Sequence, residues 1–324
     1  MRGMKLALVV AAFLLPALAM AQVGSVGALS LSIAPSYPRP GSTVTIAPEN
    51  TLLDLANSTM SISVNGKNIY TGAAKAVQIS LGGPGQTTTV GASVTSLGRT
   101  YTRTLALKPG DVSLVVEPLA TAPALYLGKP LVPLGGSARL VAVADFRTTP
   151  ASRIDPATLS YAWSVDGTTL IGASGVGRSS VILPSPLAYR SRSVSVVVQS
   201  RDGSLVGGDS ITLTSQNPVV RLYRNDPLQG IVFDEALRNT YAITSPEISF
   251  FAVPYSFTLS SGAPVLAWFL NGGAAEAGPS ITLRPEGAGR GRASLLLRSS
   301  AGEASAAAEL SLTFGESGST LFGL

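Results

Sequence analysis

Three stretches of this chain run into the same kind of two-residue turn: Met60-Ser-Ile-Ser-Val-Asn-Gly66, Tyr161-Ala-Trp-Ser-Val-Asp-Gly167 and Leu266-Ala-Trp-Phe-Leu-Asn-Gly272. In each, apolar residues alternate with others, the period of a strand with one buried face. Asn-Gly and Asp-Gly supply the two positive φ values that a tight hairpin requires. The matched positions Ile62, Trp163 and Trp268 lie 101 and then 105 residues apart. A chain that repeats one hairpin at such a period is built of small, similar β domains, and every other reading must fit that frame.

A second signature keeps step with the first. Val90-Gly-Ala-Ser-Val-Thr-Ser-Leu-Gly98 matches Val194-Ser-Val-Val-Val-Gln-Ser-Arg-Asp-Gly203 and Ala293-Ser-Leu-Leu-Leu-Arg-Ser-Ser-Ala-Gly302, each a strand ending in a Gly-terminated turn. Tyr101–Leu107, Ser210–Leu213 and Glu309–Phe314 follow these turns as further strands, and Val77–Leu81, Val181–Leu183 and Ile281–Leu283 lie between the two signatures. Gly (34) and Pro (22) are too plentiful for a helical protein, while a hydrophobic share of 45% is too high for a disordered one. Many short strands without amphipathic helical runs predict an all-β chain of antiparallel sandwiches. About 100 residues and seven strands per module suit an immunoglobulin-type sandwich. The modules are expected at residues 29–109, 110–216 and 217–315, with a tail at 316–324. Short seams at Lys108-Pro-Gly-Asp111 and Thr214-Ser-Gln-Asn-Pro218 predict a semi-rigid row.

The Tyr161-x-Trp163-x-x-Asp166-Gly167 stretch resembles the central strand of bacterial Ig-like and polycystic-kidney-disease-type (PKD-like) domains. The resemblance covers nearly all of residues 29–315 through a short motif, so it speaks to architecture. It implies that Trp163 and Trp268 lie buried between two sheets. It also implies that Val94, Val198 and Leu297 occupy the strand position where related sandwiches carry a disulfide cysteine, so that hydrocarbon contact replaces the cross-link. The fuller PKD motif, with its Gly-Asp-Gly turn, is absent.

Arg2 and Lys5, an apolar run from Leu6 to Leu15, Pro16 and Ala19-Met20-Ala21 read as a secretory signal cleaved after Ala21. The run is too short to cross a bilayer, so membrane contact is expected only through the signal before cleavage. The chain is expected to be exported, to the periplasm, the cell surface or the medium. Losing the signal leaves 21 cations against 18 anions. Four arginines between Arg284 and Arg298 read as a solvated strand and loop, and without a single-sign patch with interleaved aromatics no nucleic-acid partner is expected.

The chain has no cysteine and no histidine. That removes disulfides, thiol nucleophiles, Ser-His-Asp triads and most transition-metal sites. The one adjacent acid pair, Asp234-Glu235, points to opposite faces of a strand. No lysine follows a serine by three residues, and the Gly-rich segments 82–85 and 287–291 lack a phosphate-binding pattern. Asp166, Asp202 and Asp209 come nearest to a calcium set but fall short of six to eight oxygens. No catalytic, cofactor-binding or metal-ligating residue is therefore assigned, no cofactor is expected, and the chain is read as a non-enzyme.

Composition shifts only in the third module. Aromatic residues crowd between Tyr223 and Phe269, and the segment 225–238 has no counterpart in the first module. Phe250 and Phe251 cannot both face one core. The insert is expected to cover whichever ring points outward; the alternative is a partner-binding patch of Tyr223, Phe233, Phe251, Tyr255 and Phe257. The expected function is an exported adhesive or scaffolding protein of the cell envelope or surface with a protein or glycan partner. The alternative is a structural subunit of an envelope assembly such as a pilus or secretion apparatus.

Overall fold

A computed structural model of the chain describes residues 29–49, 53–123, 128, 130–286 and 290–315. The expected signal peptide and the tail lie outside the described residues. By contact the chain divides into two units. The first holds the residues up to Ser36, Gly41–Gly82 and Thr87–Leu107; the second holds Tyr37–Pro40, Gly83–Gln86 and everything from Lys108. All regular structure among the described residues is β-strand apart from three short 3-10 turns.

The first unit carries β1 (Ser30–Ala34), β2 (Thr43–Glu49), β3 (Thr59–Val64), β4 (Lys67–Ala73), β5 (Val77–Ser80), β6 (Thr88–Ser96) and β7 (Arg99–Leu107). They form two antiparallel sheets, β1-β2-β5 and β4-β3-β6-β7. Alternation along the strands turns Val44, Ile46, Met60, Ile62, Val90 and Val94 into one buried core. This is a seven-strand immunoglobulin-like sandwich.

The second unit holds two more sandwiches. Module two runs through β8 (Asp111–Pro118), β9 (Ser137–Asp145), the short pair β10 (Arg147–Thr149) and β11 (Ser152–Arg153), β12 (Ser160–Val165), β13 (Thr168–Thr169), β14 (Gly175–Val176), β15 (Ser180–Pro184), β16 (Ser191–Gln199) and β17 (Val206–Thr214). Its sheets are β15-β9-β8 and β13-β12-β16-β17, with β14 also on β12. Trp163, on β12, is fully buried in one core with Val194, Val196 and Val198 of its own sheet and Leu140 and Val181 of the facing one. Its indole N–H donates to the carbonyl of Arg178 (2.8 Å), so burying the ring leaves no polar atom unpaired.

Module three comprises β18 (Val219–Asp226), β19 (Gly230–Leu237), β20 (Asn239–Ile243), β21 (Ile248–Tyr255), β22 (Val265–Leu270), β23 (Gly273–Ala277), β24 (Ser280–Leu283), β25 (Gly291–Ala301) and β26 (Ala304–Phe314). Trp268 repeats the part of Trp163, fully buried with its N–H on the carbonyl of Gly278 (2.9 Å). The sheets are larger, however: β19-β18-β21-β24 and β20-β26-β25-β22-β23. The segment expected to cover an outward ring supplies β19, whose Phe233 meets the outward Tyr223 edge-on, and the residues just after it supply β20, so each sheet gains one strand. A turn at Asp226–Gly230, with Gly230 at φ +74°, folds β19 back along β18. Asn239, at φ +61°, then redirects the chain so that β20 pairs in parallel with β26.

The three Asx-Gly turns are hairpins with both central residues at positive φ: 49° and 83° at Asn65-Gly66, 50° and 79° at Asp166-Gly167, 53° and 83° at Asn271-Gly272. Each does a second job that local sequence does not display. The N–H groups of Thr89, Ser193 and Ser294 donate to the side-chain Oδ1 of Asn65, Asp166 and Asn271, each at 2.9 Å. The backbone N–H of each Asx returns a bond to the same residue's carbonyl at 2.8 Å. The turn is thus stitched to the next strand in all three modules.

Register corrects one sequence alignment. Val94 lies opposite Met60 and Val198 opposite Tyr161, whereas Leu297 lies opposite Trp268. The third-module counterpart of Val94 and Val198 is Ser299, opposite Leu266, because β25 is two residues longer than β16 and carries its turn further along. Val94, Val198 and Leu297 are nonetheless all fully buried, and hydrocarbon fills each core.

Candidate functional site

The sheet β19-β18-β21-β24 has an inner face packed on Trp268 and an outer face that follows from strand alternation. Phe250 points inward, is fully buried and meets Tyr241 edge-on at 5.4 Å between centroids. Phe251 therefore points outward, where it sits directly across from Tyr223. Tyr223 receives the edge of Phe233 from β19 (5.2 Å between centroids, 64° between planes), and its hydroxyl shares a 2.9 Å hydrogen bond with that of Tyr255. Four of the five proposed patch residues thus share one face, in contact or in register.

Exposure differs among them. Phe233 is 47% exposed, Phe251 and Tyr255 are half-buried, and Tyr223 is buried. Val253, on the same face, is only 2% exposed. The surface that a partner could reach is therefore the ring of Phe233 and the partly covered rings of Phe251 and Tyr255. Ser249 and Thr282, joined by a 2.7 Å hydroxyl contact, border it on the same face, and Arg221 lies across from Val253. Such a face can stack flat apolar surface and accept a few directed hydrogen bonds.

Phe257 does not belong to this face. It is fully buried beyond the end of β21, where residues 119–121 of module two pair with 256–259 of module three. Its N–H donates to Thr121 Oγ1 (3.1 Å) and its carbonyl accepts from the Thr121 N–H (2.7 Å), while the Ser256 N–H returns to the Thr121 carbonyl and the Leu259 N–H to that of Leu119. The proposed patch loses this residue to the seam. Within module two, the Leu134 N–H donates to the Gln216 carbonyl and the Gln216 N–H to that of Val132, which ties the β8–β9 connection to the end of β17.

The aspartates considered for calcium lie apart in role. Asp166 is bound into its turn, and Asp209 Oδ2 accepts from the Leu114 N–H at 2.8 Å. Asp202 accepts from the hydroxyls of Ser200 and Ser204 and from the Ser204 N–H, which holds its carboxyl down at about 2. Asp226 is likewise lowered, by the N–H groups of Leu228 and Gln229 at the β18–β19 turn. Burial raises the Tyr161 phenol, and the Asp155 charge adds to it. Among the described residues no three acidic side chains converge on one point. Asp234 and Glu235 are both exposed on β19. Among the arginines, Arg284 pairs with Glu247 and Arg298 lies 5.1 Å over the Phe269 ring. No helix among the described residues is long and apolar enough to cross a membrane.

No family model matches the chain, and no curated protein is similar to it in sequence. Solved structures resemble it as series of β domains. The three N-terminal domains of the highly immunogenic outer capsid protein (Hoc) of bacteriophage RB49 are 11% identical over 89% of this chain and 97% of that one, at a TM-score of 0.26. The central fibronectin-III array of RIM-binding protein is 11% identical over 89% and 96%, at 0.30. The N-terminal four Ig domains of a Dscam1 isoform are 13% identical over 88% and 73%, at 0.23. The class itself is set by the chain's own sheets and cores: an all-β protein of tandem immunoglobulin-like sandwiches.

Proposed function

We propose that this chain is an exported, non-enzymatic adhesive or scaffolding protein of the cell envelope or surface, and that the outer face of module three holds a protein or glycan partner. The observation that carries the reading is the set Phe233, Tyr223, Phe251 and Tyr255 on one outward sheet face, since rings placed outward on a strand contribute little to their own core. The ladder between 119–121 and 256–259 supports the scaffolding half, because it ties that face to the neighbouring module. The carboxylates of Asp166, Asp202 and Asp209 are engaged in turns and strand edges, which fits holding rather than reacting.

The test is capture from the envelope fraction of the native host on beads carrying the full chain, compared with Phe233→Ser. The variant is expected to unfold within a few degrees of the parent, because Phe233 is nearly half exposed, and to lose the captured species. Equal capture by parent and variant, or recovery of the endogenous chain only from the cytoplasm, sinks the proposal.

A further inference from the structure

The third module shows what covers the edge of a sandwich that module two leaves open. Register sets the equivalence. Val194 and Leu295 occupy the same place opposite Val165 and Leu270 on the preceding strand, and they pair with Ile211 and Leu310 respectively. Ile211 of β17 is thus the counterpart of Leu310 of β26, and Leu213 that of Leu312. In module three, β20 lies parallel along Leu310–Phe314. It sends Tyr241 and Ile243 to the core, leaves Thr240 and Ala242 exposed, and Leu310 becomes fully buried.

In module two no strand among the described residues pairs with the same stretch. A segment of the chain bridges β17 at Val206 (Pro109, parallel) and just beyond its end at Gln216 (Pro133, parallel), but no strand among the described residues pairs with the edge between. A groove of about 330 Å³ lies there, lined by Leu114 and Val116 of β8, Ile211 and Leu213 of β17, and Leu131 and Val132. Leu114, Val116 and Ile211 are packed on the core yet only partly covered. The Leu114 counterpart, Leu222, is 1% exposed. Pro130 and Pro133 flank Leu131 and Val132 and have no N–H to give, so this part of the chain is poorly suited to zip along β17 as β20 does along β26.

We propose that the groove between β8 and β17 is a strand-acceptor site that takes an extended segment of a partner protein, parallel to Ile211–Thr214, with uncharged apolar side chains at alternate positions. The occupant's chemistry is read from β20: backbone groups complete the edge, and two side chains spaced i, i+2 fill the apolar floor. The site is separate from the aromatic face and belongs to the other module, so either can fail alone.

A synthetic peptide with the sequence of residues 238–244 is the probe, added to the full chain at millimolar concentration while amide hydrogen exchange is followed. The expected result is saturable slowing, by about tenfold or more, at amides within Ile211–Thr214. It should vanish with a peptide in which the counterparts of Tyr241 and Ile243 are Asp. Ile211→Lys should abolish it, and Val116→Lys, checked by Trp163 fluorescence for an intact fold, provides the same test should the first variant unfold. No slowing with the parent peptide overturns the site, as does slowing that survives in both folded variants. Concentration-dependent protection of the same amides without peptide overturns the committed occupant in favour of a second copy of the chain.

Discussion

Modules two and three are built on one plan and finished differently. Both set a tryptophan between a sheet that holds the module's first strand (β8 or β18) and a sheet that holds its last (β17 or β26), and both stitch an Asx-Gly turn to the next strand. Module three then spends residues 227–243 on β19 and β20, which extend the two sheets on the same side. Module two reaches β9 from β8 through residues 119–136, whose described residues meet module three at one point and Gln216 at another and hold no strand. The shared plan makes each module fold; the segment between the first two long strands decides what its edge is for. In one a strand of the same module closes the edge, and in the other no strand among the described residues does.

The largest effect that sharpens this contrast lies at the matched pair Leu310 and Ile211. Leu310→Ala removes a fully buried side chain under β20 and should cost about 2–5 kcal/mol. Ile211→Ala removes one that already meets solvent and should cost about 1 kcal/mol, close to the transfer of the lost carbons alone. Modules two and three each hold one tryptophan, so urea unfolding followed at the separate indole N–H resonances of Trp163 and Trp268 reports them individually. Equal losses would mean that the edge of module two is as covered as that of module three, and the open-edge reading would fall.

How far these differences could be read in the sequence depends on how local they are. Asn-Gly and Asp-Gly announce the hairpins because few residues adopt positive φ at both central positions, and the alternation around Trp163 and Trp268 announces a buried face. The outward turn of Phe251 follows from its neighbour Phe250 pointing in. The burial of Phe257 was not legible, because its partner Thr121 stands 136 residues away and the pairing begins where strand alternation stops. The path of residues 226–243 shows no repeat to align, so its division between two sheets rests on Gly230 and on Asn239 at positive φ, signals too weak to place a parallel strand. The offset at Ser299 was hidden for a related reason: matching glycines at 203 and 302 aligned the turns, while two extra residues had moved the strand beneath them.

A smaller effect tests the shared half of the comparison. Asp166→Ala and Asn271→Ala each delete one side-chain acceptor for a strand N–H and also weaken a positive-φ position, and each should cost about 1–2 kcal/mol in its own module. The two losses, measured by the same urea titrations, should agree within about 0.5 kcal/mol. A clear inequality would show that the turn is tied down by different means in the two modules.

The smallest expected effect is acid sensitivity at two turns whose aspartate only one of the two modules carries. Asp202 closes the hairpin between β16 and β17, and Asp226 closes the one between β18 and β19, each as an acceptor of turn donors. A carboxyl held lower in the folded chain than in the unfolded one stabilises while ionised. Its contribution is complete above the ordinary value of 3.8 and drains away as pH falls; for Asp202 it is gone below about 2. Asp202 is exposed and Asp226 partly so, which makes the change modest and weakens it further with salt. Asp202→Asn should flatten the acid limb reported by Trp163 and leave that of Trp268 alone, while Asp226→Asn should do the converse. A limb at Trp268 that flattens with Asp202→Asn would mean that the seam at Thr121 passes acid-induced loosening from one module to the next, so that the two unfold as one.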